Sequence, residues 1–216
     1  MTARTTGGGP GPRRPIAADN QVLRLLAELA GMPAETGGCF VPGGSAGNLS
    51  ALVTARDTAR RRRGLGPYDC VRFALSDQAH SSIGDALRII GVEPFAVPTM
   101  GHRITGPVLR TALLADAGPS HVTGVAAAGT ANAGIIDDLA GVAAVVRDFD
   151  LWLHVDGAYG GAGLLAPSVR DRYAGIEQDD PRHRPPHKWL IAPFARRRVR
   201  RRHAAAGIRP GPACDQ

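Results

Sequence analysis

Leu151-Trp152-Leu153-His154-Val155-Asp156-Gly157-Ala158-Tyr159-Gly160-Gly161 begins as a mainly apolar run and ends in small residues, with one carboxylate at the junction. A short apolar run bounded by turn residues fits a buried strand, Leu151 to Val155, followed by a tight turn. Asp156 then has two possible uses: it caps the turn that follows, or it pairs with a buried cationic group.

Working back from that stretch, the same alternation recurs. Asp138 to Arg147 has the pattern of an amphipathic helix, Val122 to Ala128 of a strand, and Pro107 to Asp116 of a helix. Val92 to Val97 reads as a strand, His80 to Ile90 as a helix, and Val71 to Leu75 as a strand. Short apolar runs alternating with helices predict a parallel α/β sheet. Polar residues with chemical potential, His80, Thr130 and Asp156, fall just after strand ends. Ligands of open α/β sheets bind outside the carboxyl ends of the strands, so a site is predicted there, although Thr130 also suits a plain turn and His80 a helix cap.

Two helices precede the first strand. Val22, Leu23, Leu25, Leu26 and Leu29 lie at helical spacing, with Asp19 or Asn20 as the expected cap and Gly31 and Pro33 as the stop. Residues 1–18, rich in Gly, Pro and Arg, are expected to form an irregular arm. After a Gly-rich turn, Ser45 opens a helix through Leu49, Leu52 and Ala55 into the arginines 60–63, which suit a helix C-terminus. Gly43-Gly44-Ser45 ahead of a helix can hold an anion on backbone N–H groups, or can simply start a helix.

Composition removes several classes of function. The net charge of +7 hints at nucleic acid, but residues 196–216 hold seven arginines against Asp215, leaving only +1 on residues 1–195. No segment approaches the roughly 20 apolar residues of a membrane span, and no apolar signal core follows the basic N-terminus. A soluble cytoplasmic protein is expected. Cys39, Cys70 and Cys214 are odd in number and lack metal-ligand spacing, which argues for incidental thiols over a disulfide framework or a metal site.

Of the 26 basic residues only Lys188 is a lysine. A guanidinium stays protonated and cannot serve as the amine of an imine, whereas a lysine amine can be tuned to do so. The exception therefore has a candidate chemical reason. An aspartate such as Asp156 held against a pyridine nitrogen would complement such an amine, since a nearby negative charge keeps that nitrogen protonated.

Gly43-Gly44-Ser45, then Ser76-Asp77-Gln78-Ala79-His80-Ser81-Ser82, then Gly129-Thr130, then His154-Val155-Asp156, then His187-Lys188-Trp189 run in an order that resembles the group II pyridoxal-5′-phosphate (PLP) dependent decarboxylases. These include aromatic-amino-acid, glutamate and 2,4-diaminobutyrate decarboxylases. The resemblance covers roughly residues 20–194. It implies the large domain of an aspartate-aminotransferase-like PLP fold, a mostly parallel sheet flanked by helices, present here in incomplete form over residues 19–194. It also implies that Lys188 carries the cofactor as an imine, Asp156 pairs with the pyridine nitrogen, and His80 stacks on the ring. Gly44, Ser45 and His187 would hold the phosphate, Ala158 would pack on the ring, and Thr130 would lie close by. The implied activity is decarboxylation of an L-amino acid, in a homodimer for the full-length family, with neither membrane nor nucleic acid as partner. Other PLP enzymes of the same fold, an aminotransferase or a cysteine desulfurase, share the lysine and aspartate. Trp189 and the His154–Gly161 segment favour the decarboxylases. An inactive fragment with a polyanion-binding tail is the alternative of a different class.

The chain departs from the family pattern at Ala46-Gly47, Ala131 and Gly157, where the family usually has Glu-Ala, a second Thr and Ala. These changes are expected to spare the fold. In 180–186, two arginines and three prolines replace an expected apolar strand with spacing preserved, which suggests a compensated reading-frame shift. After Phe194 the resemblance stops, and six of the seven residues from Arg196 to Arg202 are arginine. The tail 195–216 is expected to be disordered. The family's catalytic loop would lie beyond it, so impaired turnover is expected of this chain.

Overall fold

The computed structural model describes residues 13–34, 36–116 and 121–177. Strands β1 (Arg72–Ser76), β2 (Glu93–Val97), β3 (His121–Ala127) and β4 (Trp152–Asp156) pair in the order β2-β1-β3-β4. All three pairings are parallel. Helices α1 (Arg13–Leu29) and α2 (Gly44–Arg63) precede the sheet, while α3 (Ser81–Ile90), α4 (Gly106–Ala115) and α5 (Leu139–Asp148) connect its strands. The predicted alternation is thus the observed one, with boundaries shifted by a residue or two.

A parallel connection is right-handed, so the direction in which the chain moves across the sheet fixes the face its helix covers. From β1 the chain steps one way to β2, then reverses to reach β3 and β4. Accordingly α3 packs with α2 on one face, around Leu52, Phe73, Ile83, Leu87 and Val125. Helices α4 and α5 cover the other through Leu109, Leu113, Leu139, Val142 and Val146. The reversal lies between β1 and β3, and in open α/β sheets the carboxyl ends of the strands at such a reversal are where ligands bind.

One expectation needs correction. Helix α1 begins at Arg13, six residues before the expected cap at Asp19, so residues 13–18 are not part of an irregular arm. Pro15 falls in the first turn, where its missing N–H is no loss, so it does not delay the start. Of the apolar residues along α1, Leu23 and Leu26 turn inward, as does Ala30 just beyond its end, whereas Val22 and Leu25 are exposed. Cys39 is a free, half-buried thiol.

Candidate active site

Asp156 is the last residue of β4, half-buried, and both of its oxygens are engaged. Oδ1 accepts from the backbone N–H of Ala158 at 3.0 Å, capping the turn. Oδ2 accepts from Nδ2 of Asn48 at 3.0 Å. Turn capping and side-chain pairing are therefore compatible uses of this carboxylate. Each carboxylate oxygen has two lone pairs, so acceptor capacity remains for a cationic group.

Helix α2 brings its N-terminus to the same turn. A Cβ on Gly44 would stand 2.7 Å from Cβ of Ala158, so the glycine permits an approach that any side chain would obstruct. Gly43 is the N-cap at φ 114°, with no side-chain cap and no acidic residue in the first turn. Among the described residues the leading N–H groups of this 20-residue helix have no side-chain cap, and the helix dipole favours an anion beside them. Ser45 is exposed there.

His80 follows β1 and caps α3, its Nδ1 accepting from the N–H of Ser82 at 3.2 Å. The ring is also 2.9 Å from Oγ of Ser82. The cap use is therefore real, and the residue is exposed at the carboxyl end of the sheet. Thr130 is buried in the turn after β3, its Oγ1 accepting from the N–H of Ile135 at 3.2 Å. Its neighbour Gly129, at φ +108°, lies so close to Gly160 that a Cβ would sit 2.7 Å from that Cα, which seats the β3 turn on the Asp156 turn. The Tyr173 hydroxyl donates to the Gly160 carbonyl and holds the same turn from outside. A methyl group at Gly157 would meet Gly161 at an ordinary 3.5 Å, so that departure from the family pattern is sterically minor.

Gly44, Ser45, His80, Thr130, Asp156 and Ala158 therefore converge on one end of the sheet. His187, Lys188, the 180–186 stretch and the arginine tail lie outside the described residues. Sequence reasoning missed Asn48, which is only 5 % exposed and bonds Asp156, His154 and Ser82. Its one available signal was the helical interval from Gly44 to Asn48, which puts both on one face of α2. Burial pushes the His154 imidazole below its ordinary value, with Asp156 pulling the other way.

A helix N-terminus, a carboxylate at a strand end and an imidazole after a neighbouring strand thus lie at the carboxyl end of one sheet. Residues 14–204 match the pyridoxal-dependent decarboxylase conserved domain, and the chain belongs to that family. It is 33% identical over 178 residues to an aromatic-L-amino-acid decarboxylase of Bacillus atrophaeus, covering 80% of this chain and 36% of that protein. It is 36% identical over 180 residues to the Sus scrofa aromatic-L-amino-acid decarboxylase, covering 78% and 37%. The structure of Oryza sativa TDC with PLP superposes with a TM-score of 0.70 at 27% identity, over 85% of this chain and 44% of that one. The fold is accordingly that of the PLP-dependent decarboxylase large domain. The chain spans about two fifths of the length of these relatives.

Proposed function

We propose that this chain forms the cofactor-binding part of a PLP-dependent L-amino-acid decarboxylase. One observation carries the reading: the Asp156 carboxylate stands beside the uncapped N-terminus of α2, joined through the Gly44–Ala158 contact. The fit to the cofactor is favourable, because a phosphate needs free N–H donors without acidic neighbours, and a pyridinium needs a carboxylate with spare acceptor capacity. Gly44, Ser45 and His187 would hold the phosphate. Asp156 would keep the ring nitrogen protonated, His80 would lie on one ring face with Ala158 packed against the ring, and Thr130 would border it. Lys188 would anchor the cofactor covalently. Bound there, pyridoxal phosphate would supply an electron-accepting ring that stabilises the charge left when carbon dioxide departs. A homodimer, a cytoplasmic location and an amino-acid substrate belong to the same reading and rest on the family resemblance.

The test is to titrate the purified chain with PLP, follow visible absorption of the bound cofactor, and trap the linkage with borohydride. The expected result is a saturable band whose trapped adduct is lost in Lys188→Ala. Folded protein that gains neither band nor adduct would overturn the reading. Release of carbon dioxide without keto-acid product, assayed with a panel of L-amino acids, separates decarboxylase from aminotransferase chemistry.

A further inference from the structure

We propose that Asn48 is a positioning residue that fixes the Asp156 carboxylate and the His80 imidazole in one hydrogen-bonded array, an inference that rests on the cofactor-binding reading. The array can be written proton by proton. Nδ2 of Asn48 lies 3.0 Å from Oδ2 of Asp156, and the reverse amide orientation would oppose two oxygens, so the nitrogen must face the carboxylate. The amide oxygen then faces Nε2 of His154 at 3.0 Å. An amide oxygen only accepts, so His154 carries its hydrogen on Nε2. The second Nδ2 hydrogen goes to Oγ of Ser82 at 3.1 Å.

The Ser82 backbone N–H donates to Nδ1 of His80, so the Ser82 hydroxyl, 2.9 Å from the same nitrogen, directs its own hydrogen there as well. Nδ1 of His80 is thereby an acceptor, and neutral His80 keeps its hydrogen on Nε2. Asn48 spends both donors and its acceptor on three residues from two other elements, β4 and α3, at a depth where water cannot replace them. A buried amide that merely satisfied itself would not need to link the two residues expected to touch the ring.

Asn48→Asp is the discriminating variant. It keeps the size and the acceptor for His154, but replaces both donors with oxygen and sets a like charge against Asp156. In the cofactor-free 216-residue chain, long-range proton–nitrogen correlation spectra of the histidine rings should show a single Nε2–H tautomer for His80. In Asn48→Asp the Ser82 hydroxyl should turn to the new carboxylate, so the His80 Nδ1 resonance should move downfield toward that of an unbonded imidazole nitrogen, while the Ser82 backbone N–H keeps His80 in the Nε2–H form and the His154 pattern is unchanged. The PLP dissociation constant should rise roughly tenfold or more, the loss expected when a hydrogen bond to a charged group is removed.

A folded Asn48→Asp chain with wild-type His80 signals, or with wild-type PLP affinity, would overturn the inference. Should the wild-type chain bind no PLP, the cofactor reading fails, and the His80 signals alone decide whether Asn48 orients that ring. If Asn48→Asp does not fold, Ser82→Ala takes its place: it removes the hydroxyl between Asn48 and His80, and an unchanged His80 Nδ1 resonance there would equally overturn the proposal.

Discussion

Asp137 and Asp156 stand near the same end of the sheet and are held in opposite ways. Asp137 is 2 % exposed, and its oxygens accept from the backbone N–H groups of Ile104 at 2.8 Å and Ala127 at 2.7 Å. Its neighbour Asp138 caps α5 and accepts from Gly106, so the pair ties the start of α4 to the β3–α5 junction. Burial raises the Asp137 carboxyl above its ordinary range, with those two N–H groups and Arg103 pulling it back. Asp156 is half-buried, has a single backbone partner within its own turn, and otherwise rests on a side chain from α2. A carboxylate spent on remote backbone amides joins the chain together. One held by a side chain, with lone pairs to spare, is poised for a ligand.

Exchanging the two losses gives the largest effect that can break this contrast. Asp137→Ala leaves two backbone donors without their acceptor and should lower unfolding stability by about 2–4 kcal/mol, measured by urea denaturation. Asp156→Ala should cost less stability than that, yet weaken PLP binding by roughly tenfold to a hundredfold, measured by absorption titration. If Asp156→Ala proves the more destabilising and leaves affinity intact, the contrast is wrong.

Steric closure of the Asp156 side gives a middle-sized effect. Gly44→Ala adds a methyl 2.7 Å from that of Ala158 and should destabilise by about 1–3 kcal/mol through overpacking. Pairing it with Ala158→Gly should restore most of the loss in thermal melts. Failure of that rescue would mean that α2 and the turn do not meet as described.

The smallest effect is electrostatic. The folded chain holds His154 below its ordinary value, whereas the unfolded chain protonates it near about pH 6.5. Folding stability from this group is therefore complete above about pH 6.5 and lost as pH falls toward the depressed folded value, because the unfolded state then binds the extra proton. His154→Gln should flatten that decline in urea midpoints taken from neutral to mildly acidic buffers. Asp137 contributes with the opposite sign: its raised carboxyl makes stability fall as pH climbs above the ordinary aspartate range.

Much of the fold was legible because period and punctuation act locally. The alternation of apolar runs and helices and the strand-end positions of His80, Thr130 and Asp156 all reappear in the structure, and the helix expected to open at Ser45 begins one residue earlier, at Gly44. The start of α1 was misplaced because Asp19 resembles a cap, while nothing local forbids a helix from Arg13. Asn48 and Asp137 were not legible. An amide inside a helix and an acid beside another acid look like ordinary polar residues until their burial and partners are known.

The sequence by itself determined the element order and the family and nominated residues for chemistry, since hydrophobic period, turn residues and colinear motifs are properties of neighbours along the chain. Only the tertiary structure decided that Gly44 touches Ala158 and that Asn48 binds Asp156, Ser82 and His154. Which side chains share a hydrogen depends on how helices pack across the sheet, and that geometry is set by long-range burial rather than by any local run of residues.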